Sequence, residues 1–265
     1  MTAPTRYGVM VPNELQVEIA VQDAAGVRIA LEGGAARIEL CQALGLGGLT
    51  PSAGLVEAAV AAASAARTPG FVHVLVRPRG GGFVYDADEI DTIVRDIRQA
   101  RSLGADGVVV GALTEDGTLD DGAIAAFVAA AEGIDVTVHR AVDASADPLA
   151  SVGALAGRGV RRVLTSGGGA DCRAGLPTLA RMVAEVGGAL EIMSGGGVRV
   201  PDIGELAAAG VDAVHLSARG RDERGGPSGP GGGVDGFDET DAATVRAAVA
   251  AARAAARAAR PRRPS

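Results

Sequence analysis

Lysine is absent from this chain, and all 25 basic residues are arginine. Without a side-chain amine no Schiff base can form, which excludes lysine-dependent aldolases and the internal aldimine of a pyridoxal phosphate enzyme. Tryptophan is also absent and aromatic residues make up only 2%, leaving little π surface on which bases could stack. The net charge of -7 repels polyanions, so nucleic acid is not an expected partner. Cys41 and Cys172 are the only cysteines and form no CxxC pair; a disulfide scaffold is not indicated and a reducing compartment fits. No apolar run approaches the roughly 18 residues of a membrane span, and the opening residues lack the basic and apolar regions of a secretory leader. A soluble, cytoplasmic protein with no membrane partner is expected.

The residues that are plentiful are small and aliphatic. A 48% hydrophobic chain with so few aromatics must build its core from Ala, Val, Leu and Ile, as in sheets covered by helices on both faces. Its 265 residues fit one α/β barrel of roughly 250. The arginine-rich end, ARAAARAARPRRPS, reads as a solvated helix face with favourable charges near a helix C-terminus.

Four segments echo one another: GGAARIEL (33–40), GADGVVVG (104–111), GVRRVLTSG (159–167) and GVDAVHLS (210–217). Each pairs a helix-ending glycine, able to adopt the left-handed conformation, with a buried strand. Between them lie LQVEIAV (15–21), FVHVLVR (71–77), DVTVHRA (135–141) and ALEIMSG (189–195), giving eight strands. Helix starts are expected at Asp23, Thr50 before Pro51, Asp86 with Glu89, Asp147 before Pro148, and Asp202 near Pro201. Strict alternation with right-handed crossovers predicts a single-domain (β/α)8 TIM barrel over residues 14–260, between an N-terminal extension (1–13) and a C-terminal tail (261–265). An open doubly wound sheet is the alternative, but no GxGxxG opens the first helix. Residues 220–237, rich in Gly and Pro, should form a loop on the ligand face, either a lid or an ordinary insertion.

In a parallel barrel, the carboxyl ends of the strands carry the ligand site. Alternation places Glu18, Arg37, Glu39 and Cys41 inward, with His73, Arg77 and Arg79 on strand three and His139 and Asp143 on strand five beside Arg140. His215, Ser217 and Arg219 follow on strand eight. Buried ionisable groups cost free energy unless paired with each other or with a ligand. The cluster therefore reads either as a site or as a structural ion-pair network. As a site, Glu18 or Glu39 would be general base or acid, His73, His139 and Asp143 would join the proton chemistry, and Arg77, Arg79 and Arg140 would clamp an anion. The glycine turns TSGGGA (165–170) and SGGGV (194–198) could add backbone N–H groups from Ser166, Gly195, Gly196 and Gly197, with Ser217 and Arg219 beside them, or serve as plain connectors. A divalent metal held by carboxylates and histidine is a variant of this reading.

Seven ordered motifs, RIELC (37–41), GGLTPSAG (47–54), RPRGGGF (77–83), HRAVD (139–143), LTSG (164–167), GGGVR (195–199) and HLSAR (215–219), resemble the CutC copper-homeostasis family. The resemblance implies a cytosolic TIM barrel, a homo-oligomer, and a proposed role in handling Cu(I), with Cys41 as a copper ligand. The family pattern usually adds a cysteine near the end of strand one. Ala20 stands there in this chain, Gly82 stands where Asp is common, and Ser194 where Pro is common. Two readings follow: a copper-homeostasis protein, and an enzyme using acid–base chemistry on a small anionic, phosphorylated or sugar-like substrate.

Overall fold

The computed structural model describes residues 15–222 and 237–259. The expected N-terminal extension, the C-terminal tail and most of the glycine-rich loop lie outside the described residues. Eight strands, β1 (Gln16–Val21), β2 (Arg37–Leu40), β3 (Val72–Leu75), β4 (Gly107–Val110), β5 (Asp135–Val138), β6 (Arg162–Thr165), β7 (Glu191–Ser194) and β8 (Ala213–Leu216), pair in parallel, and β8 returns to β1 to close a barrel. Helices α1 (Ala24–Gly33), α2 (Ala53–Ala65), α3 (Ala87–Ser102), α4 (Asp121–Ala131), α5 (Pro148–Leu155), α6 (Leu176–Val186), α7 (Ile203–Ala208) and α8 (Ala242–Ala259) alternate with the strands. This is the expected (β/α)8 TIM barrel.

Local chemistry sets the punctuation. Gly34, Gly104, Gly159 and Gly210 all have φ between 77° and 92°, the left-handed turn that sends each helix back into a strand. Asp23 caps α1 by accepting from the Gly26 N–H, Asp86 and Glu89 form a capping box on α3, and Asp147 with Pro148 opens α5. The expected cap at Thr50 is corrected: Ser52 caps α2, because the Thr50 hydroxyl instead accepts from the Arg77 N–H at 3.0 Å, tying the β2–α2 loop to the end of β3.

Each strand is buried on both faces. Val17, Ile19 and Val21 of β1, and Ile38 and Leu40 of β2, join the large apolar core beneath the helices. Glu18, Arg37 and Glu39 point the other way, into the barrel. The register then fixes neighbours: Glu18 lies opposite both Arg37 of β2 and His215 of β8, and Glu39 lies opposite His73 of β3. After β8 the chain is not irregular throughout. β9 (Arg219–Asp222) and β10 (Phe237–Thr240) pair as an antiparallel ribbon at the two ends of the expected loop.

Candidate functional site

The barrel interior is layered. At its amino-terminal end, buried Arg162 pairs with Glu191 at 2.7 Å and donates to the Thr137 hydroxyl at 3.2 Å. This layer is a structural ion network. Above it, Arg37 Nε donates to Glu18 Oε2 at 2.6 Å, while His215 Nδ1 meets Glu18 Oε1 at 2.8 Å. Burial works against the Glu18 charge, but Arg37 and then His215 outweigh it and hold the carboxyl well below its usual range. Glu18 therefore spends both oxygens beneath the site and does not line it, which corrects its expected role as general base. His73 is likewise set below: burial, reinforced by Arg162 and Arg37, pushes it down to about 3, and its Nδ1 is buried without a partner among the described residues. A neutral, enclosed ring does not shuttle protons to a ligand.

The next layer opens into a cavity of about 260 Å³ at the strands' carboxyl ends. Glu39, Arg77, His139, Arg140, His215, Ser217 and Arg219 line it, with Ala20, Leu44, Leu75, Phe83 and Leu164 as apolar wall. Glu39 is 7% exposed and makes no hydrogen bond with any described residue; its nearest charged neighbour is His215, whose Nε2 lies 3.9 Å from Oε2. Burial raises the Glu39 carboxyl to about 7, with His215 opposing and Glu18 adding to the rise. Burial disfavours the His215 cation, yet Glu39 and Glu18 outweigh it and raise its pKa. His215 thus belongs to the centre of the site, although the sequence reading gave it no chemical role.

The opposite wall is cationic. Arg77 is buried and held by three backbone carbonyls, those of Leu46, Gly48 and Gly81, with its guanidinium 5.3 Å from the Phe83 ring. Arg140 is braced by Asp143 at 2.7 Å and by the Ser166 hydroxyl at 3.1 Å. Asp143 is not a proton carrier facing the ligand. Its carboxylate accepts from the N–H groups of Ser166 and Gly168 and from the Thr165 hydroxyl at 2.5 Å, so it fills the TSGGG turn with an anion of the chain's own. That corrects the expectation for Ser166, which lies beneath the lining. After β7 the situation differs. Gly196 and Gly197, at φ 83° and 73°, line the cavity, and no hydrogen bond leads from their N–H groups to a described residue. Glycine suits position 196 because its φ is left-handed and a Cβ would crowd the Arg140 guanidinium carbon and Ser166 Cβ, each at 3.0 Å. Gly195 sits behind the wall, where a Cβ would meet Leu164 at 2.4 Å.

Arg79 is corrected as an anion clamp: it points away, ion-paired with Glu89 and stacked 5.0 Å from Tyr85. Arg219 lines the cavity from β9, paired with Asp238 at 2.9 Å.

A model of the CutC family matches residues 15–220. The chain belongs to the CutC family. It is 36% identical over 206 residues to a family protein CutC of Photobacterium profundum, covering 77% of this chain and 82% of that one. A CutC of Xanthomonas campestris is 42% identical over 205 residues, covering 77% and 83%. Among solved structures, the CutC of Streptococcus agalactiae, named for a proposed role in copper homeostasis, matches with a TM-score of 0.72 at 29% identity over 77% of this chain and 98% of that chain. Thiamine phosphate pyrophosphorylase of Pyrococcus furiosus, at 16% identity and a TM-score of 0.57 over 92% of this chain and 98% of that one, shares the fold. No helix among the described residues is long and apolar enough to cross a membrane.

The CutC name directs attention to Cu(I), a soft ion that prefers sulfur ligands. Cys41 is fully buried outside the cavity lining, packed with Leu75, Val109 and Leu44, and burial, then Glu39, pushes its thiol up. The neighbouring inward position on β1 is Ala20, and Met193 Sδ accepts from Arg37 at 3.2 Å. One sealed thiol does not fit a specific copper site. Donor atoms of Glu18, Glu39 and His215 do lie within 4.8 Å of one another, a harder set suited to a divalent ion.

Proposed function

We propose that this CutC protein is an enzyme that binds a small organic anion at the barrel mouth and moves a proton with Glu39. The observation that carries the reading is Glu39 itself: a buried carboxyl without a hydrogen bond to any described residue, held near neutrality, in a cavity that Arg77, Arg140 and Arg219 also line. Leaving such a group unpaired is costly, and a carboxyl whose pKa matches the working pH is suited to general acid–base catalysis. Arg140 and the N–H groups of Gly196 and Gly197, which bond to no described residue, anchor a carboxylate or phosphate. Arg77 supplies charge at the enclosed end, and the apolar wall keeps water from competing. His215, backed by Glu18, stabilises the ionised form of Glu39 when the proton leaves. Cytoplasmic location and homo-oligomeric assembly, implied by the family resemblance, belong to the same reading.

Calorimetric titration of the full chain with inorganic phosphate and with oxalate tests this, alongside anaerobic Cu(I) competition. Anion binding weakened about tenfold or more in Arg140→Ala supports the enzyme. No anion binding, together with tight stoichiometric Cu(I) binding lost in Cys41→Ala, would return the protein to copper handling.

A further inference from the structure

Two histidines face this cavity, and their Nδ1 atoms meet opposite chemistry. His215 Nδ1 faces the Glu18 carboxylate at 2.8 Å, and its Nε2 faces Glu39, so both nitrogens are placed to carry protons. His139 Nδ1 instead accepts from the Ala141 N–H at 3.2 Å. Protonating that nitrogen would set one N–H against another. The neutral ring therefore carries its hydrogen on Nε2, and this donor is buried with no partner among the described residues. The ring packs against Phe83, 4.8 Å away centroid to centroid, and beside Gly111, where a Cβ would be 2.6 Å from Nδ1. The charged group that acts on it is Arg77, and no carboxylate of the described residues lies within ion-pair distance of His139.

We propose that His139 is a permanently neutral hydrogen-bond donor for the substrate's carbonyl oxygen, and that the substrate is a small anion with a C–H bond next to that carbonyl. The inference rests on the proposed enzyme function and assigns its reaction class. The arginines and the Gly196–Gly197 turn suit oxygens that are charged from the outset. A neutral donor suits an oxygen that is uncharged when bound and gains charge in the transition state, where stabilisation accelerates the reaction. In the step, the C–H bond breaks and its proton passes to a Glu39 carboxylate oxygen. The bonding pair becomes the C=C of an enolate, and the carbonyl π pair moves to the oxygen held by His139 Nε2–H. Where the deprotonated carbon also bears a hydroxyl, that hydroxyl gives its proton to the former carbonyl oxygen, a new C=O forms on its carbon, and Glu39 returns its proton to the former carbonyl carbon, so no oxidant or other reactant is consumed. His139 transfers no proton, which replaces its expected role as a shuttle.

The test is nitrogen-15 NMR of the full chain labelled at histidine, with His139→Gln used for assignment. The expected result is a His139 proton on Nε2 and no change of ring charge between about pH 5 and pH 8. A proton on Nδ1, or titration within that window, would overturn the proposal. Oxalate, a planar mimic of an enolate, should move the Nε2–H resonance. Its affinity should drop about tenfold in His139→Leu and much less in His139→Gln, whose amide restores a donor. Inorganic phosphate, which has no carbonyl, should bind all three proteins alike. Oxalate binding that ignores His139 while phosphate still binds would overturn the carbonyl assignment alone. Failure of both anions to bind would remove the enzyme reading and this inference with it.

Discussion

Glu39 holds its proton more tightly in the folded chain than in the unfolded one, so its contribution to stability falls as pH rises from 4.5 to about 7. His215, also raised, adds stability that is lost as pH climbs through its folded value. His73 and His139 act in the other direction: folded rings depressed to about 3 and about 4 stay neutral while the unfolded rings protonate below 6.5. Among the groups inside the barrel, two histidines oppose Glu39 between pH 4.5 and 6.5, and Glu39 and His215 act from there up to about pH 8, before the buried thiols titrate. Urea denaturation should therefore give a stability maximum near pH 6.5, falling on both sides. Glu39→Gln should steepen the rise between pH 4.5 and 6.5, removing on the order of 3 kcal/mol of opposing pH dependence between pH 4.5 and about 7, and leave a slightly shallower decline above the maximum. Glu18→Gln should be worse for folding, by about 3–5 kcal/mol, because it leaves Arg37 buried and unpaired. The exposed Arg95–Asp91 pair should be worth no more than about 0.5 kcal/mol in the same assay.

Strands end where alternation stops predicting. Inward placement was legible for Glu18, Arg37, Glu39, His73 and His215, all within strands where side chains alternate strictly. It failed for Arg79 and Asp143. β3 ends at Leu75 and β5 at Val138, after which the chain enters a glycine turn and a short 3-10 turn whose side-chain directions follow no two-residue period. The four glycine-led strands were legible because the left-handed turn leaves a residue signature, whereas an Asp that caps a loop from 22 residues away leaves none. Asp143→Ala should strip Arg140 of its brace and weaken phosphate binding about tenfold while sparing the barrel, as calorimetry and circular dichroism would show. Gly111→Ala should instead push His139 out of place and cost about 1–3 kcal/mol of stability in chemical denaturation.

The molecule carries a net charge of -7, yet the cavity at the strand ends is lined by three arginines and a single near-neutral carboxyl. Such a cavity focuses field lines on small anions while the acidic exterior turns large ones away. Association rates for oxalate should fall as salt is raised past about 0.1 M, where exposed charges are screened within about 10 Å, and stopped-flow mixing would measure that slope. The TSGGG turn adds a timing to this picture. Because Asp143 already occupies the turn, its ordering entropy is spent when the chain folds and not when a ligand arrives. Amide hydrogens of Ser166 and Gly168 should exchange with solvent at the same slow rate with or without oxalate, while those of Gly196 and Gly197 slow only when it is bound. One glycine turn is thus a finished mould, and the other is completed by its guest.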